Sequence, residues 1–169
     1  MDTIQEINKA RNQAIREIGD IFTELIRTIE NRAVEPEPAD DPANYDIVYP
    51  LNYPSAEFKG TKPTSLIFGR EKVAVGAWTA VFAEIMRRCN SDIDRHRSLM
   101  NLRSRVSGRT RVILSDRPDG MRTPLKIDNK LYAEIHYDTG TLLHVLLHRI
   151  LDPVKYDYRN IYVAVRSDR

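Results

Sequence analysis

The sequence predicts an α+β protein in which a long N-terminal helix and a linker precede a compact mixed domain with a small antiparallel sheet. Apolar residues recur at helical spacing over residues 3–32, and an acidic segment with several prolines follows them. Runs with strand-like alternation are then interleaved with runs of helical period, which is typical of a mixed domain. The predicted divisions are 1–32 for the helix, 33–60 for the linker and 61–169 for the domain.

The N-terminal helix carries a wide apolar stripe. When residues 3–32 are written as heptads, positions a, d and e are mostly apolar, with Arg11 as a charged exception at a. A helix of this length is about 45 Å long, so the stripe needs a large partner surface. We expect pairing with a second copy into a homo-oligomer, most simply a dimer, with folding back onto its own domain as the alternative. The predicted oligomerisation residues are Ile4, Ile7, Ile18, Ile21, Phe22 and Leu25.

The segment AVEPEPADDPANYD has the acidic, proline-bearing composition of an extended linker. The stretch YPLNYPSAEF after it places Tyr49 and Tyr53 beside prolines. Tyrosines in such a setting either stack on nucleic-acid bases or pin a linker onto a folded core, and the sequence leaves both alternatives open.

The first half of the domain begins with a hairpin signal. The runs TSLIF (64–68) and KVAVG (72–76) are joined by GREK, where glycine leads the turn. The stretch AWTAVFAEIMRRC (77–89) follows with helical spacing, and SDIDRHRSLMNLRSRV supplies a second helix after an Asp or Ser cap. The predicted core residues of the first helix are Trp78, Val81, Phe82, Ile85 and Met86.

The second half predicts two further strands, a helix and a closing strand. The runs TRVIL (110–114) and LYAEIHY (131–137) alternate as strands on either side of a polar connection. The stretch TGTLLHVLLHRIL (139–151) reads as an amphipathic helix opened by Asp138 or Thr139, and NIYVAVR (160–166) closes the domain as a strand.

The composition excludes several classes of protein. Hydrophobic residues make up 41% and charged residues 30% of the chain, and no apolar run approaches the ~20 residues that span a bilayer. The N-terminus lacks the apolar core of a secretory signal, so we expect a cytoplasmic protein without membrane contact. Cys89 is the single cysteine, and its setting favours a structural thiol.

Positive charge is concentrated in one segment. Residues 1–60 hold 6 Lys or Arg against 12 Asp or Glu, whereas residues 61–169 hold 20 against 12. Between Arg87 and Lys126, eleven cations face four aspartates, a net charge of +7, and ten of the eleven are arginine. Since the planar guanidinium suits bidentate contact with phosphate, a polyanion-binding surface is one hypothesis. The alternative is a solvated face whose arginines pair with nearby acids.

The stretch SDRPDGMR (115–122) lies inside this basic segment. Pro118-Asp119, followed by Glu134-Ile135-His136, has the spacing of a restriction-type nuclease motif, but histidine stands where that chemistry needs lysine. Pro-Asp-Gly is also what a tight turn demands. A turn is therefore the first interpretation, with a metal-dependent nuclease using Asp119 and Glu134 as the alternative.

No motif predicts a cofactor or a metal. His144 and His148 share a helix face, but Val145 occupies the place of the zincin glutamate, so we expect ordinary half-exposed histidines. The sequence contains no phosphate-binding P-loop, no dinucleotide glycine triplet and no GxSxG elbow.

Four stretches carry a family resemblance: F-G-x3-V-x-V-x2-W from Phe68 to Trp78, S-G-R-x-R-x-I-L-S at 107–115, LYAEIHYDTGTLLHVLLHRIL at 131–151 and YDYRNIYVAVR at 156–166. They resemble a small domain of unknown function in bacterial restriction-system and mobile-element proteins. That domain is similar in outline to modified-DNA reader domains, and the resemblance supplies no catalytic residue. The pairing of a basic domain with a dimerising helix is also similar in style to phage anti-CRISPR and anti-restriction proteins.

These observations together favour a non-enzymatic, nucleic-acid-associated binding protein encoded by a phage or mobile element. We expect it to act on DNA or to inhibit a bacterial defence nuclease. The predicted residues that bind DNA or this partner are Arg103, Arg105, Arg109, Arg111, Arg117, Arg122 and Lys126.

Overall fold

A computed structural model of the chain describes residues 3–32, 46–103, 105–108 and 112–167. The chain divides into two compact units, Met1–Ala43 and Asn44–Arg169. It is a mixed α+β protein with antiparallel sheets, which confirms the predicted fold class. No helix within the described ranges is long and apolar enough to cross a membrane.

The described residues of the first unit form one helix, α1 (Thr3–Arg32), with the bounds that the sequence predicts. Its large apolar side chains are mostly in contact with solvent, with exposed fractions between 55 and 62% for Ile7, Ile15, Ile18, Ile21 and Phe22. The side chains of Ile4 and Leu25, which belong to the same predicted stripe, lie outside the described part of the chain. The helix is confirmed, and self-association through it stays a prediction.

The second unit contains two antiparallel sheets and the remaining helices. The first sheet has the order β1-β7-β2-β3 and the second the order β4-β6-β5. In chain order the elements are β1 (Ile47–Pro50), a 3₁₀ helix (Ser55–Phe58), β2 (Thr61–Phe68), β3 (Glu71–Ala74), α2 (Trp78–Ser91), α3 (Ile93–Leu102), β4 (Leu114–Ser115), β5 (Pro124–Asp128), β6 (Leu131–Glu134), α4 (Thr139–His144), a π-helix (Val145–Leu151) and β7 (Ile161–Ser167).

The folded domain starts earlier than the sequence predicts. Residues 47–58, which we assigned to the linker, form β1 and the 3₁₀ helix, and Leu51 and Phe58 are fully buried. The ring of Tyr49 lies 4.8 Å from that of Tyr53 and 5.7 Å from that of Phe58. These aromatic contacts and the pairing of β1 with β7 stabilise the segment, so Tyr49 and Tyr53 pin it onto the core. The predicted linker therefore extends too far, and residues 33–45 lie outside the described ranges.

The predicted hairpin and first helix are present. β2 and β3 are joined by a two-residue turn in which Gly69 has a φ of 61°, a conformation that favours glycine. All five predicted core residues of α2 are buried, and the indole of Trp78 donates to the Thr61 carbonyl at 3.0 Å. Cys89 is also fully buried, and burial raises the pKa of its thiol to about 12, which suits a structural residue.

The second sheet contains a strand, β5, where the sequence predicts only a polar connection. β5 pairs with β6 from Pro124 opposite Glu134 to Asp128 opposite Leu131, with an irregularity between Lys126 and Asp128. β6 ends at Glu134, earlier than the predicted limit of residue 137. Of the predicted strand 110–114, Leu114 begins β4, whereas residues 109–111 lie outside the described part of the chain.

The predicted helix 139–151 is an α-helix that continues as a π-helix. The Asp138 carboxylate accepts the Thr141 amide at 3.0 Å and caps its start. Near its end, the Asp152 amide donates to the Leu147 carbonyl five residues earlier, as π geometry requires. The buried leucines and isoleucine recur every four residues in two columns, and the wider π turn keeps both columns facing the core. The columns are Leu142, Leu146 and Ile150, and Leu143, Leu147 and Leu151.

Candidate nucleic-acid interface

A groove of about 520 Å³ lies where α3 leads towards β4. Its walls come from the end of α3, the loop after it and β4, and they include two arginines, one acid and two serines: Arg103, Arg105, Asp116, Ser107 and Ser115. Two of the predicted binding residues therefore line one concave surface, together with two hydroxyl groups.

Arg103 is held in place by the fold. Its guanidinium donates to the carbonyl of Lys130 at 2.9 Å and contacts the Met100 sulfur at 3.2 Å, so it ties the end of α3 to the turn between β5 and β6. A guanidinium has five N–H groups, so Arg103 keeps donors for a ligand in the groove. Arg105, two residues later, is exposed.

The stretch SDRPDGMR is a turn, as the sequence predicts. The Met121 amide donates to the Pro118 carbonyl at 3.2 Å, and Gly120 has a φ of 79°. The Arg117 amide donates to the Ser115 hydroxyl at 3.2 Å, which anchors the turn to the wall of the groove. The side chains of Arg117 and Arg122 at the two ends of this turn are exposed.

Glu134 closes the same turn from the inside of the domain. It is fully buried, and its carboxylate accepts backbone N–H groups from Arg122, from Thr123 at 3.0 Å and from His136 at 2.8 Å. Asp119 lies on the exposed side of the turn. Among the described residues no group of three or more histidine, cysteine or acidic side chains is placed to hold a metal ion. These hydrogen bonds give Glu134 a structural role, and the nuclease alternative stays a prediction.

The arginines of the basic segment differ in whether they form ion pairs. Arg87 and Arg88 both bind Glu84 at 2.7 Å, Arg88 also binds Glu71 at 2.6 Å, and Arg97 lies 3.9 Å from Asp94. These pairs match the alternative of a solvated face. By contrast, five predicted site residues make no ion pair with any residue that the structure describes: Arg103, Arg105, Arg117, Arg122 and Lys126.

The remaining predicted residues take different positions. Lys126 is exposed on β5 and, like Arg122, does not line the groove. Arg109 and Arg111 lie outside the described residues, but Ser107 and Val112, on either side of them, form a β-bridge and both line the groove.

Arg149 is a cation at this site that the sequence analysis missed. Its guanidinium donates to the carbonyl of Ser107 at 3.1 Å, at the wall of the groove. It belongs to the π-helix, 23 positions beyond Lys126 where the basic segment ends. No spacing in the sequence links it to that segment, so only the fold brings it there.

The histidine pair lies at a second groove, of about 360 Å³, between the 3₁₀ helix and the π-helix. The rings of His144 and His148 are 5.0 Å apart, and both residues are exposed. The Asp152 carboxylate contacts Nδ1 of His148 at 2.9 Å and accepts the Tyr158 hydroxyl at 2.8 Å. The hydrogen bond from His148 lowers the pKa of Asp152. This network stabilises the end of the π-helix.

Comparison with protein-family models, with curated proteins and with solved structures found no significant match. The resemblance to a domain of restriction and mobile-element proteins therefore stays a prediction.

Proposed function

We propose that this chain is a non-enzymatic, nucleic-acid-associated binding protein of a phage or mobile element, which presents the basic groove to DNA and self-associates through α1. The observation that carries the proposal is that five predicted cations, at the groove, on the adjacent turn and on β5, have no ion pair among the described residues, whereas Arg87, Arg88 and Arg97 of the same segment are paired. The pairing shows that acids are placed to neutralise some arginines and not others.

The groove has features that suit a phosphate backbone. Arginine presents a planar fork of donors to phosphate oxygens, and hydroxyl groups such as those of Ser107 and Ser115 add neutral donors. Four of the five cations belong to loops or to a turn beside the groove, or lie at the end of α3, and their backbone is fixed by hydrogen bonds. Rigid placement lowers the entropy lost on binding.

An acidic protein surface presents similar chemistry to DNA. Inhibition of a bacterial defence nuclease, as in anti-CRISPR and anti-restriction proteins, is therefore the second candidate function, favoured by the same unpaired cations. Both functions belong in the cytoplasm of a bacterial host.

The experiment is a gel-shift titration of the full chain with duplex and single-stranded DNA at several salt concentrations, with and without magnesium. Each phosphate contact contributes a slope of about −0.9 to the plot of log affinity against log salt. We expect tight binding at low salt, a slope of several units and no cleavage with magnesium. Cleavage that depends on magnesium would instead establish the nuclease alternative.

The matched variants are Arg117→Ala with Arg122→Ala, and Arg97→Ala with Arg159→Ala as the control. Both pairs remove two exposed arginines, but the control residues are ion-paired with Asp94 and Asp157. We expect the first pair to weaken DNA binding about tenfold at low salt and to reduce the slope by about 1.8, and the control to change binding little. Equal effects of both pairs, or wild-type affinity in the first, would contradict DNA binding at this turn.

A further inference from the structure

The apolar stripe of α1 is accompanied by a charge pattern along the helix. Residues 3–16 contain three cations, Lys9, Arg11 and Arg16, against Glu6, a net charge of +2. Residues 17–32 contain four acids, Glu17, Asp20, Glu24 and Glu30, against Arg27 and Arg32, a net charge of −2. Two such helices attract each other when they run in opposite directions and place like halves together when they run in the same direction.

Arg11 points to the same orientation. In a parallel pair, a positions face a positions, so the two Arg11 side chains meet in the apolar seam and repel each other. In an antiparallel pair, a faces d of the partner, and the heptads of this helix then place Arg11 opposite Ile21, close to Glu24. The same register sets Ile18 against Ala14, so a large side chain meets a small one.

The exposure of the stripe fits a surface that a partner covers. Ile7, Ile15, Ile18, Ile21 and Phe22 are between 55 and 62% exposed on one helix. A contiguous apolar surface of this kind marks an association site in a protein that stays in solution. The charge pattern favours a second copy as the partner, because the positive half of one helix lies beside the negative half of the other when the two run in opposite directions.

We propose that α1 pairs with α1 of a second copy in antiparallel orientation, with Arg11 of each helix beside Glu24 of the other. This inference rests on the self-association proposed above and adds its direction. The chains then continue past Arg32 at opposite ends of a coil about 45 Å long.

The first test measures a distance between spin labels in the full-length protein. Gln5→Cys provides one label per chain, while Cys89 is fully buried and stays unlabelled, with the wild-type protein as the control. In the antiparallel register position 5 of one helix is level with position 27 of the other. Position 27 is 22 residues along that helix from its own position 5, so the labels should be at least about 33 Å apart. A parallel pair would give roughly 20 Å, about the width of two helices.

Light scattering on the same samples tests self-association separately from the orientation of the helices. We expect twice the chain mass of 19.5 kDa at micromolar concentration. A dimer with the short label distance would overturn the antiparallel orientation and leave self-association standing. A monomer would overturn both.

The second test reverses charges. Arg11→Glu and Glu24→Arg should each weaken dimerisation about tenfold, and the double variant should restore it, because the contact is then rebuilt with its signs exchanged. Arg16→Glu is the matched control, since it makes the same change at an outward heptad position and should have a smaller effect. Failure of the double variant to recover affinity while each single variant weakens it would contradict the Arg11 to Glu24 contact.

Discussion

The basic segment from Arg87 to Lys126 contains two stretches that use arginine differently. Around α2, Arg87 and Arg88 donate hydrogen bonds to Glu84 of the same helix, and Arg88 also donates to Glu71 of β3, so these charges are neutralised within the fold. Beyond α3, the buried Glu134 accepts backbone amides of the turn instead. The comparison teaches that net charge read from a sequence does not give the charge available to a ligand, because that depends on which groups the acids bind.

The largest effect should come from Glu134→Ala. The change leaves the amides of Arg122, Thr123 and His136 without their carboxylate acceptor in a buried site, and we expect the free energy of unfolding to fall by about 3 kcal/mol or more. Urea titration measures it. Asp119→Ala, at an exposed acid of the same turn, is the control and should stay within about 1 kcal/mol. Wild-type stability of the Glu134 variant would show that its carboxylate does not hold the turn.

A smaller effect is expected from Arg88→Ala on the paired side of the comparison. Arg88 is only 21% exposed, binds two glutamates and lies 3.8 Å above the centre of the Phe68 ring. Its loss should lower the free energy of unfolding by about 1 to 3 kcal/mol. Arg87→Ala is the matched control, because Arg87 binds the same Glu84 but is 65% exposed, and thermal unfolding should show a smaller change. Equal losses would mean that burial of Arg88 contributes nothing.

The smallest effect concerns pH. Hydrogen bonds from Arg87 and then Arg88 lower the pKa of Glu84 from 4.5 to about 2. Glu84 therefore stabilises the fold fully above pH 4.5, and this contribution is lost as the pH falls towards 2. With allowance for solvent screening, we expect ionised Glu84 to contribute roughly 1 to 2 kcal/mol to the free energy of unfolding. Glu84→Gln should remove that part of the acid dependence, and an unchanged difference in unfolding free energy between pH 5 and pH 2 would contradict it.

Elements with local signals were predicted well from the sequence. The heptad stripe gave the exact bounds of α1, Gly69 marked a hairpin, and Pro118-Asp119-Gly120 marked a turn. Each of these rests on side-chain period or on the φ preference of a few adjacent residues, which a sequence displays directly.

Features that depend on distant contacts were not predicted. Leu51 and Phe58 looked like part of a linker because prolines surround them, and only pairing of β1 with β7 and aromatic packing make them core. β5 begins at Pro124 and has only five residues, with Leu125 and Ile127 as its apolar side chains, so its pairing with β6 is hard to see in its residues. Arg149 reaches Ser107 across 42 positions, and Arg88 reaches Glu71 across 17, which no local pattern reveals.

Because of the π-helix, the fold depends on the number of residues in this part of the chain. Its hydrogen bonds span five residues, so it holds more residues in each turn than an α-helix of the same length. Removal of one residue between Val145 and Leu151 would allow an ordinary α-helix without rotating the chain that follows, because the extra residue is what widens the turn. A second removed residue, or an added one, has no such wide turn to absorb it and would shift His148 and Asp152, now held together at 2.9 Å, relative to the leucine columns. This helix should therefore tolerate the loss of one residue more readily than the gain of one.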